Sequence, residues 1–194
     1  MSIITDFLLH KVTSLSPTEL QGITAIGTSI FWHSNLQVIT LPNTCKTICW
    51  YAFAYSTKLV RVVLPKSVER IGSHAFESCT SLSDIVLDVS SDCIIHNDAF
   101  KDTPYYSNAT SNLYSLDQSI LVKDVTNEIP ETVINFAGGV GANLIADSKL
   151  VIPDRIQIIS GYTGGSPTTM IIGSSARYLG TDAIPTAVTT LVCR

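Results

Sequence analysis

The four histidines of the chain are its best candidates for acid–base or metal chemistry, but their positions do not assemble a site. They occupy different positions of the repeat that runs through the sequence, so a regular fold does not stack them in one column. The aspartates and glutamates show no pair placed by the repeat for general acid and base work. We therefore expect surface or turn histidines and no catalytic residue. The histidines are His10, His33, His74 and His96.

Five cysteines are the next candidates, and they form an odd set at irregular spacings. They contain no CxxC pair and no paired CxxC/HxxxH ligand pattern, which argues against zinc and redox chemistry. Cys45 and Cys49 are four residues apart, but Val68 and Gly72 take the same places in the following repeat. We expect small buried apolar residues, with no metal and no cofactor. The set is Cys45, Cys49, Cys79, Cys93 and Cys193.

Two local motifs resemble functional signatures without completing them. Gly161, Gly164 and Gly165 could cradle a phosphate, but the Lys-Ser/Thr of a P-loop does not follow, so we interpret them as the turn of a shortened repeat. Asn108-Ala-Thr110 matches a glycosylation acceptor, which carries weight only in a secreted protein. The chain is therefore predicted not to be an enzyme.

The charge and hydrophobicity of the chain limit the kinds of partner that it can bind. The formal net charge is −4, and no basic run exists that could neutralise phosphates, so nucleic acid is not expected. The start of the chain lacks the basic segment of a signal peptide, and no apolar run reaches the roughly 20 residues that span a bilayer. Charged residues make up only 14% of the chain. We expect part of this weakly charged surface to be buried by protein partners in a homo- or hetero-oligomeric assembly.

A repeat of about 23 residues organises the chain. A leucine recurs every 23 residues at Leu41, Leu64 and Leu87. A phenylalanine ladder runs in phase with it, at steps of 22, 23 and 24 residues: Phe31, Phe53, Phe76 and Phe100. Apolar pairs seven residues apart, as in Leu64 and Ile71, extend the pattern to three later pairs: Ile129 with Phe136, Ile152 with Ile159, and Ile172 with Leu179.

Each repeat contains two phrases that predict short strands. The first, LxxIxLP, alternates apolar residues and ends at a proline, which lacks an N–H donor. The second, VxxIGxxAF, predicts another short strand and a tight turn at the glycine. Each repeat can bury its apolar side chains only against its neighbours. The inward set predicted for the most regular repeat is Leu59, Val62, Leu64, Val68, Ile71, Ala75, Phe76 and Cys79.

The full pattern, LxxIxLPxxVxxIGxxAFxxC, is matched nearly completely at residues 59–79 and well at residues 36–56. It resembles the BspA-like (Treponema pallidum-type) leucine-rich repeats. The resemblance implies a mainly β leucine-rich-repeat solenoid of about six repeats of 20–24 residues, with short turns and helical segments. We predict an N-terminal cap or anchor over residues 1–20, with a helix start at Ser16, and the solenoid over residues 21–194, with an irregular insertion at 101–128.

The outward positions of the first strand suggest a partner-binding surface. The residue between two inward positions should point outward, which gives a row of mostly β-branched residues. The preference of such residues for strands explains the row without any function. The alternative is an interface, since contiguous exposed apolar area often marks one. The row, here called the strand stripe, is Thr40, Val63, Val86, Glu128, Val151 and Ile171; Leu191, Phe7 and Leu8 are candidate contacts at the two ends.

These expectations converge on a non-enzymatic structural or protein-interaction subunit of a larger assembly. The weak surface charge, and a last predicted strand at residues 188–194 with no polar cap after it, favour a virion protein of the tail, baseplate, fibre or capsid-decorating kind. The family resemblance implies the alternative, a cell-surface adhesin that holds host proteins or other cells. The sequence shows no export signal for such an adhesin, so we rank the virion location first.

Overall fold

The computed structural model describes residues 12–107, 115, 119–121, 129–137, 145–161 and 165–194, and these form mainly short β-strands. One short helix, α1 (Pro104–Ser107), occurs in this described part. The chain divides into two compact units, residues 1–111 and 112–194. The predicted mainly β, leucine-rich-repeat solenoid fold is confirmed.

Unit 1 contains two four-stranded parallel sheets, and each coil of the chain contributes one strand to each. Register advances by one repeat from strand to strand, so that Ile39 pairs with Val62 and Val62 with Ile85. The first sheet contains β1 (Ser14–Leu15), β3 (Val38–Thr40), β5 (Arg61–Leu64) and β7 (Asp84–Leu87). The second contains β2 (Ala25–Ile26), β4 (Thr47–Ile48), β6 (Arg70–Ile71) and β8 (Ile94–Ile95).

The core of unit 1 is built on the phenylalanine ladder. Successive rings stack nearly parallel, with centroids 4.9 Å apart for Phe31 and Phe53, 4.9 Å for Phe53 and Phe76, and 5.2 Å for Phe76 and Phe100. The whole inward set predicted for residues 59–79 is buried, which confirms that alignment.

The position three residues after each phenylalanine carries a small hydrogen-bond donor. The Ser56 hydroxyl donates to the carbonyl oxygen of Phe31 at 2.6 Å, and the Cys79 thiol donates to that of Phe53 at 3.1 Å. Both bonds cross from one coil to the preceding one. Thr103 takes the same position in the following coil and donates to the carbonyl of Phe100 at 2.6 Å. These bonds satisfy buried polar atoms beside the ring stack.

The helix predicted to start near Ser16 does not form. The Glu19 carboxylate accepts hydrogen bonds from the backbone N–H and the hydroxyl of Ser16, both at 2.8 Å, which is the contact expected at a helix N-terminus. Turns follow it instead of a helix. Strand β1, inside the range predicted as a cap, pairs with β3. The domain boundaries at residues 20 and 101–128 stay predictions.

Unit 2 also contains two four-stranded sheets. One is parallel and contains β9 (Ile120–Leu121), β10 (Asn135–Phe136), β13 (Ile158–Gly161) and β15 (Tyr178–Asp182). The other contains β11 (Ile145–Ala146), β12 (Lys149–Ile152), β14 (Thr169–Ile172) and β16 (Thr190–Cys193), with β11 antiparallel to β12. In this second sheet the step between residues paired across parallel strands is shorter than in unit 1: Leu150 pairs with Met170, and Met170 with Leu191.

The apolar pairs used to trace the later repeats lie in register, as predicted. Phe136 pairs with Ile159, Ile159 with Leu179, and Ile152 with Ile172. Two residues differ, because Leu179 and Ile184, aligned by sequence with the buried Ile71 and Phe76, are exposed. Strand β9 lies within residues 101–128, the range predicted as an insertion.

Candidate interaction surfaces

The strand stripe of unit 1 consists of three aligned residues. Thr40 pairs with Val63, and Val63 pairs with Val86. All three side chains are partly buried. Residues two positions earlier lie on the same face beside the stripe, and there Arg61 and Asp84 form an ion pair. The stripe of unit 1 is therefore narrow and bordered by charge.

The strand stripe of unit 2 is more exposed. Val151 pairs with Ile171, and Ile171 pairs with Val192. Val151 is 48% exposed and Val192 is 41% exposed. Three β-branched aliphatic side chains thus form one continuous row on this sheet, which is the more favourable of the two stripes for a partner.

Leu191 takes a different place from the stripe residues. It pairs with Met170 and so continues the inward column, but it is 43% exposed whereas Met170 is fully buried. Because β16 is the last strand of its sheet, no described strand covers Leu191. Val192 occupies the stripe position of this coil. The remaining candidates, Phe7, Leu8 and Glu128, lie outside the described residues.

A second surface of unit 1, which the sequence reasoning missed, is formed by exposed aromatic side chains at the turns after the second strands. In the first of two clusters, the rings of His33 and Tyr55 stack at 5.3 Å, and Trp32 lies edge-on to Tyr55 at 6.3 Å. In the second, Tyr51 stacks on His74 at 4.8 Å, next to Trp50 in the chain. We call these two clusters the aromatic corners. Trp32 is 50% exposed and Trp50 is 64% exposed.

Four residues of the aromatic corners have left-handed backbone conformations. The φ angles of His33, Tyr51, Tyr55 and His74 lie between 55° and 60°. Such angles are uncommon outside glycine, asparagine, aspartate and histidine. The turn itself requires the conformation, since Ser78 and Asp102, at the position of Tyr55 in the following coils, share it. The backbone therefore explains the positive φ but not the choice of aromatic side chains.

Gly72 provides the space in which Trp50 lies. A Cβ atom at Gly72 would come within 2.7 Å of the Trp50 ring and 3.0 Å of its backbone nitrogen. The sequence predicted this glycine as a tight-turn residue. The structure gives it another role, which is close approach of the neighbouring coil.

A cluster of titratable side chains joins two histidines that the sequence analysis treated separately. The Asp98 carboxylate contacts His74 Nε2 at 3.0 Å and His96 Nδ1 at 2.5 Å, and it accepts a hydrogen bond from the backbone N–H of His74 at 3.1 Å. His74 Nδ1 also lies 3.2 Å from the Glu77 carboxylate, without hydrogen-bond alignment. His96 is two residues from Asp98 in the same coil, whereas only the register of adjacent coils brings His74 to Asp98.

The contacts of Asp98 determine its protonation. Burial raises the pKa of this carboxyl group, but the hydrogen bond and charge of His96, together with the backbone N–H and charge of His74, outweigh burial and lower the pKa to about 2. The contacts between Asp98 and His74 join neighbouring coils, so the cluster is well placed to hold these coils together.

The cysteines follow the prediction only in part. Cys45, Cys79 and Cys93 are buried, but Cys49 is partly exposed and Cys193 is exposed, so the expectation of five buried cysteines is wrong for the last two. Cys193 is exposed because it lies on the edge strand β16. Burial raises the pKa of Cys79 and of Cys93 to about 12, which keeps both as thiols.

The described part of the chain lacks two further kinds of site. No group of three or more His, Cys, Asp or Glu residues there has the geometry to hold a metal ion. The helical segment described there lacks the length and apolar character needed to cross a bilayer.

Comparisons with known proteins identify the repeat. Residues 2–124 of the 194 match the BspA type leucine rich repeat region (6 copies). The fold is similar to that of the pneumococcal vaccine antigen PcpA, with 15% identity and a TM-score of 0.38 over 93% of this chain. It is also similar to a leucine-rich repeat protein from Bacteroides ovatus, with 17% identity and a TM-score of 0.31 over 95% of this chain.

The chain spans 66% of the PcpA chain and 61% of the Bacteroides ovatus chain. None of the curated proteins compared with the sequence matches it. The repeat match, which covers more than half of the residues, coincides with the coils of unit 1. The chain therefore belongs to the BspA-type leucine-rich repeat family.

Proposed function

We propose that the chain is a non-enzymatic protein-interaction subunit of a larger assembly, and that it contacts protein partners through its strand stripes. Leucine-rich-repeat domains generally mediate protein–protein interactions. The observation that carries the proposal is the continuous row of Val151, Ile171 and Val192, whose aliphatic side chains are in register and face outward. Contiguous exposed apolar area of this kind often marks an interface.

The charge distribution supports the same proposal. Only 14% of the residues are charged, so a partner would displace little bound water from charged groups on this surface. Leu191, at the edge of the same sheet, adds exposed apolar area beside the stripe.

The proposal has two forms that differ in the identity of the partner. In the first, the chain is a component of a virion, in its tail, baseplate, fibre or capsid decoration, and the partner is a neighbouring subunit. In the second, it is a cell-surface adhesin that holds host proteins or other cells. The weak surface charge fits both forms, and membership of the BspA-type family supports the second.

Paired lysine substitutions test the stripes. Val151→Lys with Val192→Lys places two charges in the stripe of unit 2, and Val63→Lys with Val86→Lys does so in unit 1. Assembly of the full chain, measured by light scattering after size exclusion and by the proteins that co-purify with it, should be lost in at least one pair with circular dichroism unchanged. Asn43→Lys with Thr186→Lys adds the same charge at exposed turns and serves as the matched control.

A wild-type chain that purifies as a stable monomer with no associated protein would contradict the proposal, as would lysine pairs that leave assembly intact. Labelled antibody then separates the two forms. Label on purified particles supports the virion form, whereas label on intact cells supports the adhesin form.

A further inference from the structure

In the described part of unit 1, the buried ring stack consists of phenylalanines, which carry no polar atom. Phe31, Phe53, Phe76 and Phe100 all lie inside, whereas its exposed large aromatic residues are tryptophans and tyrosines. Within the described part of the chain, no group hydrogen-bonds to the indole N–H of Trp32 or Trp50, or to the hydroxyls of Tyr51 and Tyr55. The aromatic corners therefore offer flat apolar faces together with free polar edges.

The left-handed backbone conformation of Tyr51 and Tyr55 suggests that their aromatic side chains have a binding function. A non-glycine residue in such a conformation is strained, and strained residues cluster at ligand clamps and active sites. A glycine or asparagine would satisfy the turns of Tyr51 and Tyr55 with less strain. A function for the aromatic faces accounts for the choice.

The area of the corners favours a small ligand over a protein. An aromatic side chain of this size buries about 150–250 Å² at most, so the exposed fractions of the four rings together present roughly 400 Å². A stable protein interface requires about 800 Å² from each partner. Two separate clusters of this size fit single rings of a ligand better than a protein surface.

The chemistry of the corners selects among small ligands. A quaternary ammonium ligand of the kind that aromatic cages hold would cover the ring faces, but it has no hydrogen-bond acceptor for the indole N–H and phenol groups. A proline-rich segment would stack on the rings and its carbonyls could accept from the indole N–H and phenol groups, but it has no N–H to donate to the phenol oxygens. A sugar ring has an apolar C–H face and a rim of hydroxyls that matches both features. We propose that the aromatic corners bind the pyranose rings of a carbohydrate.

Gly72 acts as a positioning residue in this site. The Trp50 ring lies against it because no side chain intervenes, which holds the indole face in a set orientation. Gly72→Ala therefore displaces Trp50 and should weaken binding at the second corner while the first corner stays unaffected.

The chain provides its own reporter for the test. Its two tryptophans are Trp32 and Trp50, one in each corner, so intrinsic tryptophan fluorescence reports on these sites alone. Trp32→Phe leaves Trp50 as the reporter of the second corner, and Trp50→Phe leaves Trp32 as that of the first. Each full-length variant is titrated with neutral hexasaccharides of glucose, galactose and N-acetylglucosamine, and separately with decaproline and tetramethylammonium.

We expect a saturable blue shift with at least one hexasaccharide. Tyr51→Ala at the second corner and Tyr55→Ala at the first should weaken binding by about tenfold or more, the loss typical of an anchoring aromatic residue. Val60→Ala removes an exposed aliphatic side chain outside the corners and should leave the affinity unchanged. Thermal unfolding confirms that each variant is folded.

Absence of a shift with all three hexasaccharides overturns the proposal. A shift with decaproline or tetramethylammonium alone, or binding that the tyrosine variants leave unchanged, overturns it as well. The lysine pairs in the strand stripes should leave the shift intact, so the carbohydrate site and the protein-interaction function are tested separately.

Discussion

The phenyl rings of Phe53 and Phe76 lie face to face, with centroids 4.9 Å apart and planes inclined by only 2°. Phe100 covers the opposite face of Phe76 at 5.2 Å. The Phe76 ring is therefore enclosed by the coil before it and the coil after it. Packing of the Phe76 ring therefore stabilises its own coil and the two adjacent coils.

Phe76→Ala should lower the free energy of unfolding of unit 1 by about 3–5 kcal/mol, because it removes a buried ring and leaves a cavity between two others. Urea unfolding followed by tryptophan fluorescence measures the change, since both tryptophans lie in this unit. The exposed variant Val60→Ala is the control and should stay within about 0.5 kcal/mol of the parent chain. An unresolved shift of the Phe76→Ala midpoint would contradict the proposed packing.

Replacement of Cys79 tests its role as a hydrogen-bond donor. Cys79→Ser keeps a donor within reach of the Phe53 carbonyl, as Ser56 has for Phe31, whereas Cys79→Ala removes it. We expect Cys79→Ala to be less stable than Cys79→Ser by about 1 kcal/mol, the usual net value of such a bond. The unfolding midpoints of the two variants decide the question. An alanine variant as stable as the serine variant would show that the thiol acts only by filling space.

Thiol labelling should distinguish the cysteines by burial and pKa. Cys193 is exposed and should react first with an aromatic disulfide reagent at neutral pH. Cys79 and Cys93 are buried and have pKa values of about 12, so they contribute almost no thiolate and should react only after unfolding. Peptide mass spectrometry at successive times gives the order of labelling. Early modification of Cys79 in the folded chain would contradict its placement.

Stability should fall in acid through Asp98. Its pKa is lowered from 3.8 to about 2 in the folded chain, so its contribution is complete above about pH 4 and is lost as the pH falls toward 2. The stability difference between the parent chain and Asp98→Asn should therefore shrink between pH 5 and pH 2. Urea midpoints at a series of pH values measure it. A difference that stays constant over this range would argue against the contacts with His74 and His96.

The parts of the fold that follow from residue type alone were predictable. Phe53, Phe76 and the leucine ladder recur because each coil presents the same inward positions to the next, so the period of the sequence is the period of the structure. Alternation along a strand likewise identified Val63 and Val151 as outward residues.

The aromatic corners and the Asp98 cluster were not predictable in the same way. Trp50, Tyr51 and His74 occupy variable positions of the repeat pattern, where core packing imposes no residue type. Asp98 meets His74 only through the register of neighbouring turns. The available signal was the occurrence of Trp50, Tyr51 and Tyr55 at positions that carry serine or threonine in other repeats. Leu191 was predicted as a candidate contact at the end of the solenoid, and it lies exposed on the edge strand β16.

The pairing of Val62 with Ile39 on one side and Ile85 on the other bears on how such a chain changes its length during evolution. Deletion of residues 62–84 would place Ile85 directly beside Ile39, with every later partner already aligned. Recombination between repeats of the coding DNA removes or adds segments of this size in one event. Unit 1 can therefore be shortened or lengthened by whole coils without redesign of its interior, whereas a deletion of a single residue would turn the inward side chains of a strand outward.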